Sequence, residues 1–411
     1  MKKLLIIGAG IGQVPLLKKA QQRGIHVTVA SIPGPYPCFQ LADDVIYTNI
    51  YDRDAIVEEA RRRGITAVTS DQNDLMMPTV AYVAEKLGLP GNSFDTVMTY
   101  CDKNRFRDLC DRTGVPGPRH AHIGTAGDVT FFNAPLPWMV KPADSQSSIG
   151  VKKVETAEQA MTAVHEALAK SPTHTAIVEE YVSGKEVVCE GLIDHGRYYP
   201  LLLGDRRYFD LPNVMIPSQT LFPSTLNEQF LERIIGYEQA LTAASRPAFA
   251  IVHSEYLVNE TTGDICIVES ALRGGGVYIS SDIVPMATGI DVTGFLLDRA
   301  LGIESDMEAM LAKRTDRAAA YVCFYLPEGI IRNVSDIDLL KSFPFVKAAY
   351  IEDVVIGKGT EPPTYKGARK GPILVSGKDR EELENNIHLV QQILQAEVTD
   401  GTETAKGIVW E

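Results

Sequence analysis

Roughly the first ninety residues alternate short apolar runs with helical patterns, and that alternation restricts the fold more than anything else in the chain. Lys3–Ile7, His26–Ala30, Asp44–Tyr47 and Thr66–Thr69 read as strands, while Val14–Arg23, Asp54–Arg63 and Leu75–Leu87 carry helical periodicity. Strand–helix–strand units of this size build a small parallel sheet. Gly8-Ala9-Gly10-Ile11-Gly12 follows the first strand, where a dinucleotide fingerprint would lie. The fingerprint is incomplete, because Gln13 replaces its last glycine and the second strand ends at Ala30-Ser31 without an acid for a ribose. A tight strand-to-helix turn, suited at most to a small anion, is expected instead.

The 411 residues suffice for two or three domains with sizeable cores. Leu89-Pro90-Gly91-Asn92-Ser93 breaks the alternating pattern and sets the first boundary at residue 93. A second falls near residue 310, after which 311–411 carries its own strands (Ala320–Tyr325, Ala348–Tyr350, Pro372–Val375) and a long helix, Arg380–Leu394. The formal charge of −13 excludes a general nucleic-acid surface, which needs clustered Lys and Arg. No apolar run reaches the roughly 18 residues that span a membrane, so no membrane partner is expected. Met1-Lys2-Lys3 and the four apolar residues after it stop at Gly8 and read as a first strand, not an export signal. The six cysteines lack CxxC spacing, which argues against zinc and disulfide frameworks and fits a cytoplasmic protein.

Chemistry concentrates farther along. Val252-His253-Ser254-Glu255 and Ile267-Val268-Glu269-Ser270 end short apolar runs on either side of Asn259-Glu260-Thr261-Thr262-Gly263-Asp264. This predicts a hairpin carrying Glu255 and Glu269 on neighbouring strands, within reach of one divalent ion. Arg273, four residues past Glu269, adds a fixed charge for a phosphoryl group, and Gly274-Gly275-Gly276 either admits a carboxylate to backbone amides or turns the chain. Upstream, Lys141 ends a strand and leads into the small polar loop around Ser147-Ser148, while Lys103 opens a charged helix. Glu179-Glu180-Tyr181-Val182 runs into a turn ending at Glu186, a connector able to meet an adenine edge and a ribose. His253 is either a general base or a packed strand histidine, and Arg206-Arg207 either a substrate-carboxylate clamp or surface charge.

In this order, the residues resemble the ATP-grasp superfamily of carboxylate–amine ligases over roughly residues 1 to 310. The resemblance implies an α/β fold with a Rossmann-like N-terminal parallel-sheet domain (1–93) and an ATP-grasp domain (94–310) of two ATP-clasping α+β subdomains, the lid at about 120–182. A C-terminal α+β region (311–411) follows. It implies that Lys103 and Lys141 meet the phosphates of ATP, with Ser147 and Ser148 closing over them. Glu179, Glu180, Tyr181 and Val182 would flank adenine, and Glu186 the ribose. Glu255 and Glu269 would hold Mg²⁺ or Mn²⁺, and Arg273, with the glycines beside it, would steady an acyl phosphate. Many members carry asparagine two residues after the second metal glutamate, whereas this chain has Ala271. The run Glu269-x-Ala271-x-Arg273-Gly274-Gly275-Gly276, with His253 two residues before Glu255, resembles instead the dipeptide-forming L-amino acid ligase branch. Small carboxylate and amine substrates and a homodimer are implied. A carboxylase or purine-biosynthetic reaction on the same fold is the alternative, against which Ala271 counts. A non-catalytic ATP-binding module is the other, against which both carboxylates and Arg273 count.

Overall fold

The computed structural model describes residues 2–145, 149–211, 216–401 and 406–411. Strands β1 (Lys3–Ile7), β2 (His26–Ser31), β3 (Asp44–Tyr47) and β4 (Ala67–Thr69) form a parallel sheet in the order β3-β2-β1-β4. Along β1, Leu4 and Ile6 enter one core and Leu5 and Ile7 another, so both faces are covered, as a continuous apolar run requires. The crossover helix Arg53–Arg63 shows how local residues set such an element. The Asp52 side chain accepts from the Ala55 N–H at its start, and Gly64 ends it at φ 65°, where a side chain would be strained. Strand order reverses between β1 and β4, which puts the crevice of this sheet at the carboxyl ends of those two strands.

An antiparallel lid follows: β5 (His120–Ile123), β6 (Trp138–Pro142), β7 (Lys152–Val154) and β8 (Ala176–Glu180), ordered β5-β8-β6-β7. The helix Ala157–Lys170 packs Ala160, Val164 and Ala167 against Val140 and Val178 of this sheet.

The rest is built on β9 (Lys185–Asp194), β10 (Arg197–Tyr208), β11 (Pro217–Phe222), β12 (Phe249–Asn259), β13 (Asp264–Ala271), β14 (Ala318–Phe324), β15 (Gly329–Val334), β16 (Val346–Ala349), β17 (Gly359–Thr360), β18 (Lys370–Gly377) and β19 (Ala396–Thr399). Eight of them make one antiparallel sheet, β13-β12-β9-β10-β11-β14-β18-β16, and β17-β15-β19 a small separate one. The pairing of β11 with β14, Gln219 opposite Val322, carries the large sheet unbroken into the C-terminal region. Val188 and Leu192 of β9 face the core that holds the helix Val292–Ala300, while Val187, Cys189 and Ile193 face the one under the helix Glu228–Ser245. The predicted N-terminal strands agree with the structure to within one or two residues. The long strands β9 and β10 went unread, because charged residues interrupt their alternation at Glu190, Asp194, Asp205, Arg206 and Arg207.

Among the described residues, no helix is long and apolar enough to cross a membrane.

Candidate active site

The predicted hairpin is present as β12 and β13, and its register sets Glu255 directly opposite Glu269. Simple alternation would not do this. Ile267 pairs with Tyr256 and both enter the core under the helix Glu228–Ser245, so Glu269, two residues on, would share that face. A β-bulge at Val268 adds one residue and turns Glu269 to the side of Glu255, a re-aiming common beside active sites. Arg107, from the helix Lys103–Thr113, donates to the Val268 carbonyl at 2.7 Å and so fastens the bulge.

The same face of the sheet carries Glu186 and Glu190 on β9 and Arg206 and Tyr208 on β10. Arg206 donates to Glu186 at 2.7 Å and also to Glu255, and it approaches His253 Nε2 at 3.4 Å. Burial opposes ionisation of Glu255, yet Arg206 and His253 outweigh it and hold its carboxyl well below the usual range. Glu269 differs. It has no hydrogen bond or ion pair among the described residues, and burial, then Glu255 and Asp74, raise its pKa although Lys103 and Arg273 lie near. A half-buried carboxylate without an ion pair of its own, facing a second one, is the donor set that a hard divalent cation satisfies.

Lys141 donates to Glu179 at 2.5 Å, and Arg107 to the other oxygen of that carboxylate at 2.7 Å. Burial pushes the Glu179 carboxyl up, but the two cations hold it down to about 2. Lys103 donates to the Ser145 carbonyl at 2.6 Å, and burial lowers its pKa against the pull of Glu269. Ser147 and Ser148 lie outside the described residues. Glu180 pairs with Arg119, and Lys153 stands 4.5 Å over the Tyr181 ring. Glu180 to Val182 thus forms the connection from lid strand β8 to central strand β9.

The third wall comes from the N-terminal sheet, at the crevice its topology defines. Arg273 makes a two-pronged pair with Asp74, at 3.1 and 2.8 Å, and Asp71 accepts from the Gly274 N–H at 2.8 Å and from Ser280 at 3.0 Å. Glycine at 274 is obligatory, since an added Cβ would lie 2.3 Å from Ser280 and 2.8 Å from Asp71. At Gly275 it would meet Glu190 at 2.8 Å, and nothing crowds Gly276. Gln13, which spoils the dinucleotide fingerprint, is buried and binds the Gly10 N–H and the Asp71 carbonyl, closing the glycine turn against this crevice. Asp74→Ala should free the Arg273 guanidinium to wander and lower kcat/KM by about 10²-fold with the fold retained, as steady-state ADP release and circular dichroism will show.

The structure narrows two readings that the sequence left open. His253 sits between Glu190 and Glu255, buried, and Glu190 overcomes the cost of burial to raise its pKa to about 9. Carboxylates on both sides engage the ring, an arrangement that fits a packed strand histidine better than a free general base. His253 also faces Ala271 across the ladder. Arg206 and Arg207 cannot clamp one carboxylate together, because adjacent strand residues point to opposite faces. Arg206 joins the acidic cluster, whereas Arg207 pairs at the surface with Glu384 at 2.9 Å. Arg207→Ala should leave kcat/KM within about twofold and stability within about 0.5 kcal/mol of the parent, measured by turnover and denaturant melts. Sequence reading also missed Asp71, Asp74, Arg107 and Glu190. Spacing held a signal for Arg107, one helical turn past Lys103, and for Glu190, four strand residues past Glu186.

Comparisons with known proteins agree with this geometry. Residues 130–205 match the family model described as D-ala D-ala ligase C-terminus. The chain is 26% identical over 349 residues to alanine–anticapsin ligase of Bacillus subtilis (strain 168), covering 77% of this chain and 71% of that one. The crystal structure of L-amino acid ligase from Bacillus licheniformis superposes with a TM-score of 0.82 at 21% identity, over 97% of this chain and 99% of that one. A further match, TM-score 0.74 at 15% identity over 99% and 91% of the two chains, is the biotin carboxylase domain of Hydrogenobacter thermophilus 2-oxoglutarate carboxylase, in complex with the magnesium salt of ADP and with bicarbonate. With the clasp of lid and central sheet and the paired glutamates already in view, these likenesses show that the chain has the fold of the ATP-grasp ligases and is similar in sequence to carboxylate–amine ligases among them.

Proposed function

We propose that this ligase joins the carboxylate of one small amino acid to the amine of another, at the expense of ATP and through an acyl phosphate. The observation that carries the reading is Glu269: half-buried, without a hydrogen bond or ion pair among the described residues, and turned by the Val268 bulge to face Glu255. Glu255 and Glu269 would hold Mg²⁺ or Mn²⁺, which when bound supplies charge neutralisation to the triphosphate. Lys103 and Lys141 extend toward the same place and would grip its oxygens, Glu179 keeping Lys141 aimed. Adenine would lie along Glu180 to Val182, with the ribose at Glu186.

A substrate carboxylate oxygen attacks the γ-phosphorus, the bridging P–O bond breaks, and ADP leaves. Charge that develops on the transferring group falls to Lys141 and Arg273, whose guanidinium Asp74 fixes beforehand. An amine then attacks the acyl carbon, forming the C–N bond, and phosphate departs with the displaced proton. His253, held between Glu190 and Glu255, is assigned no part in that proton transfer. Burial first, then Arg369, Arg206 and Arg273, disfavour the charge on nearby Lys366, and this group of cations is suited to anionic substrates. Alanine and anticapsin are the substrates named for one relative, which supports amino-acid-like acids and amines here.

Residues 1–93, 94–310 and 311–411 serve as working units of the chain, and the six free thiols agree with a reducing cytoplasm. A homodimer follows from resemblance and is testable by light scattering. The reading itself is tested by ADP release over a panel of amino acid pairs. Turnover requiring both an acid and an amine supports it; none with any pair would favour a binding module, and turnover with bicarbonate a carboxylase.

A further inference from the structure

A second cluster, outside the reaction just described, lies where the lid meets the body. His120 and His122, two apart on β5, project to one face of the lid's edge strand, and Asp108 and Asp111, three apart on the helix Lys103–Thr113, lie opposite. His122 Nε2 is 3.4 Å from Asp108 Oδ1, and His120 Nε2 is 3.7 Å from Asp111 Oδ2. The two imidazole rings stack with centroids 5.8 Å apart. One ligand atom from each of Asp108, His120 and His122 lies within 4.8 Å of the other two. The Pro118 carbonyl lies 3.2 Å from His120 Nδ1, and because a carbonyl can only accept, Nδ1 carries the proton. That leaves the Nε2 lone pair toward the cluster, the outer-sphere arrangement that orients histidine ligands in metal sites.

We propose that Asp108, His120 and His122 form a site for a divalent transition metal, with zinc the occupant best matched to two imidazoles and one carboxylate. Its chemistry separates it from the paired glutamates, whose all-oxygen donors suit Mg²⁺. Its position gives it a consequence. β5 belongs to the lid, whereas the helix packs Phe106 and Leu109 into the core of the central sheet. A bound ion therefore ties lid to body at the surface, beside the buried Arg107–Glu179 pair that ties them inside.

The test is calorimetric titration of Zn²⁺ into the full chain in excess Mg²⁺, for the parent, His122→Ala, Asp108→Asn and Glu269→Gln. The expected result is one zinc per chain, with affinity at least roughly tenfold weaker in His122→Ala and Asp108→Asn, since even outer-sphere partners are worth about that much. Zinc should raise the Tm of the parent and of Glu269→Gln, but not of His122→Ala, which should keep its basal ligase turnover. Zinc bound equally by His122→Ala, lost in Glu269→Gln, or not bound by the parent would overturn the assignment.

Discussion

Glu269→Gln is expected to abolish Mg²⁺-dependent ADP release, with turnover falling by about 10²–10³-fold or more while the fold is retained. The amide keeps the shape of the side chain but removes the negative charge opposite Glu255, which is the feature a divalent cation would answer. The replacement should cost little stability and could add some, because burial and the neighbouring Glu255 and Asp74 already make that charge unfavourable in the metal-free chain. A chain that melts at the same or higher temperature yet no longer turns over would separate the metal role from a structural one. Full activity in this variant would remove the metal assignment.

The second large effect is on stability. Glu179→Ala leaves Arg107 and Lys141 facing one another with no anion between them, and breaking a buried pair in this way costs about 3–5 kcal/mol. The pH dependence has a definite sign. The Glu179 carboxyl is held down to about 2 in the folded chain, below its ordinary value, so its contribution is present in full above that ordinary value and is lost as pH falls through the interval down to about 2. Denaturant melts from neutral pH to about pH 3 should therefore converge for parent and Glu179→Ala toward the acid end. A constant gap across that range would show that the loss is packing and not charge. Activity should fall as well, since Lys141 would lose its aim.

Much of the site was legible because its chemistry is local in sequence. Hairpin turn signals put Glu255 and Glu269 on adjacent strands, and a strand ending in Lys141 before a small polar loop already resembled a triphosphate grip. What sequence could not show was which way these side chains face. Counting by twos along β13 would have placed Glu269 in the core with Ile267, and the bulge at Val268 that prevents it leaves no mark in residue type. The opposite failure occurred at Arg206-Arg207, where strand alternation, had β10 been read as a strand, would have ruled out a shared role. Asp71 and Asp74 stayed invisible for a different reason. Their partners, Gly274 and Arg273, lie about two hundred positions away, and only the strand order β3-β2-β1-β4 brings the end of β4 to the site. Gln13, which leaves the dinucleotide fingerprint incomplete, closes the glycine turn with its side chain.

The central claim is that carboxylate activation passes through an acyl phosphate, and transfer of labelled oxygen tests it most directly. An acid substrate found in the amino acid panel, carrying ¹⁸O in its carboxylate, should deliver one labelled oxygen to the released phosphate per amide formed. Unlabelled phosphate accompanying labelled amide and ADP would contradict the account.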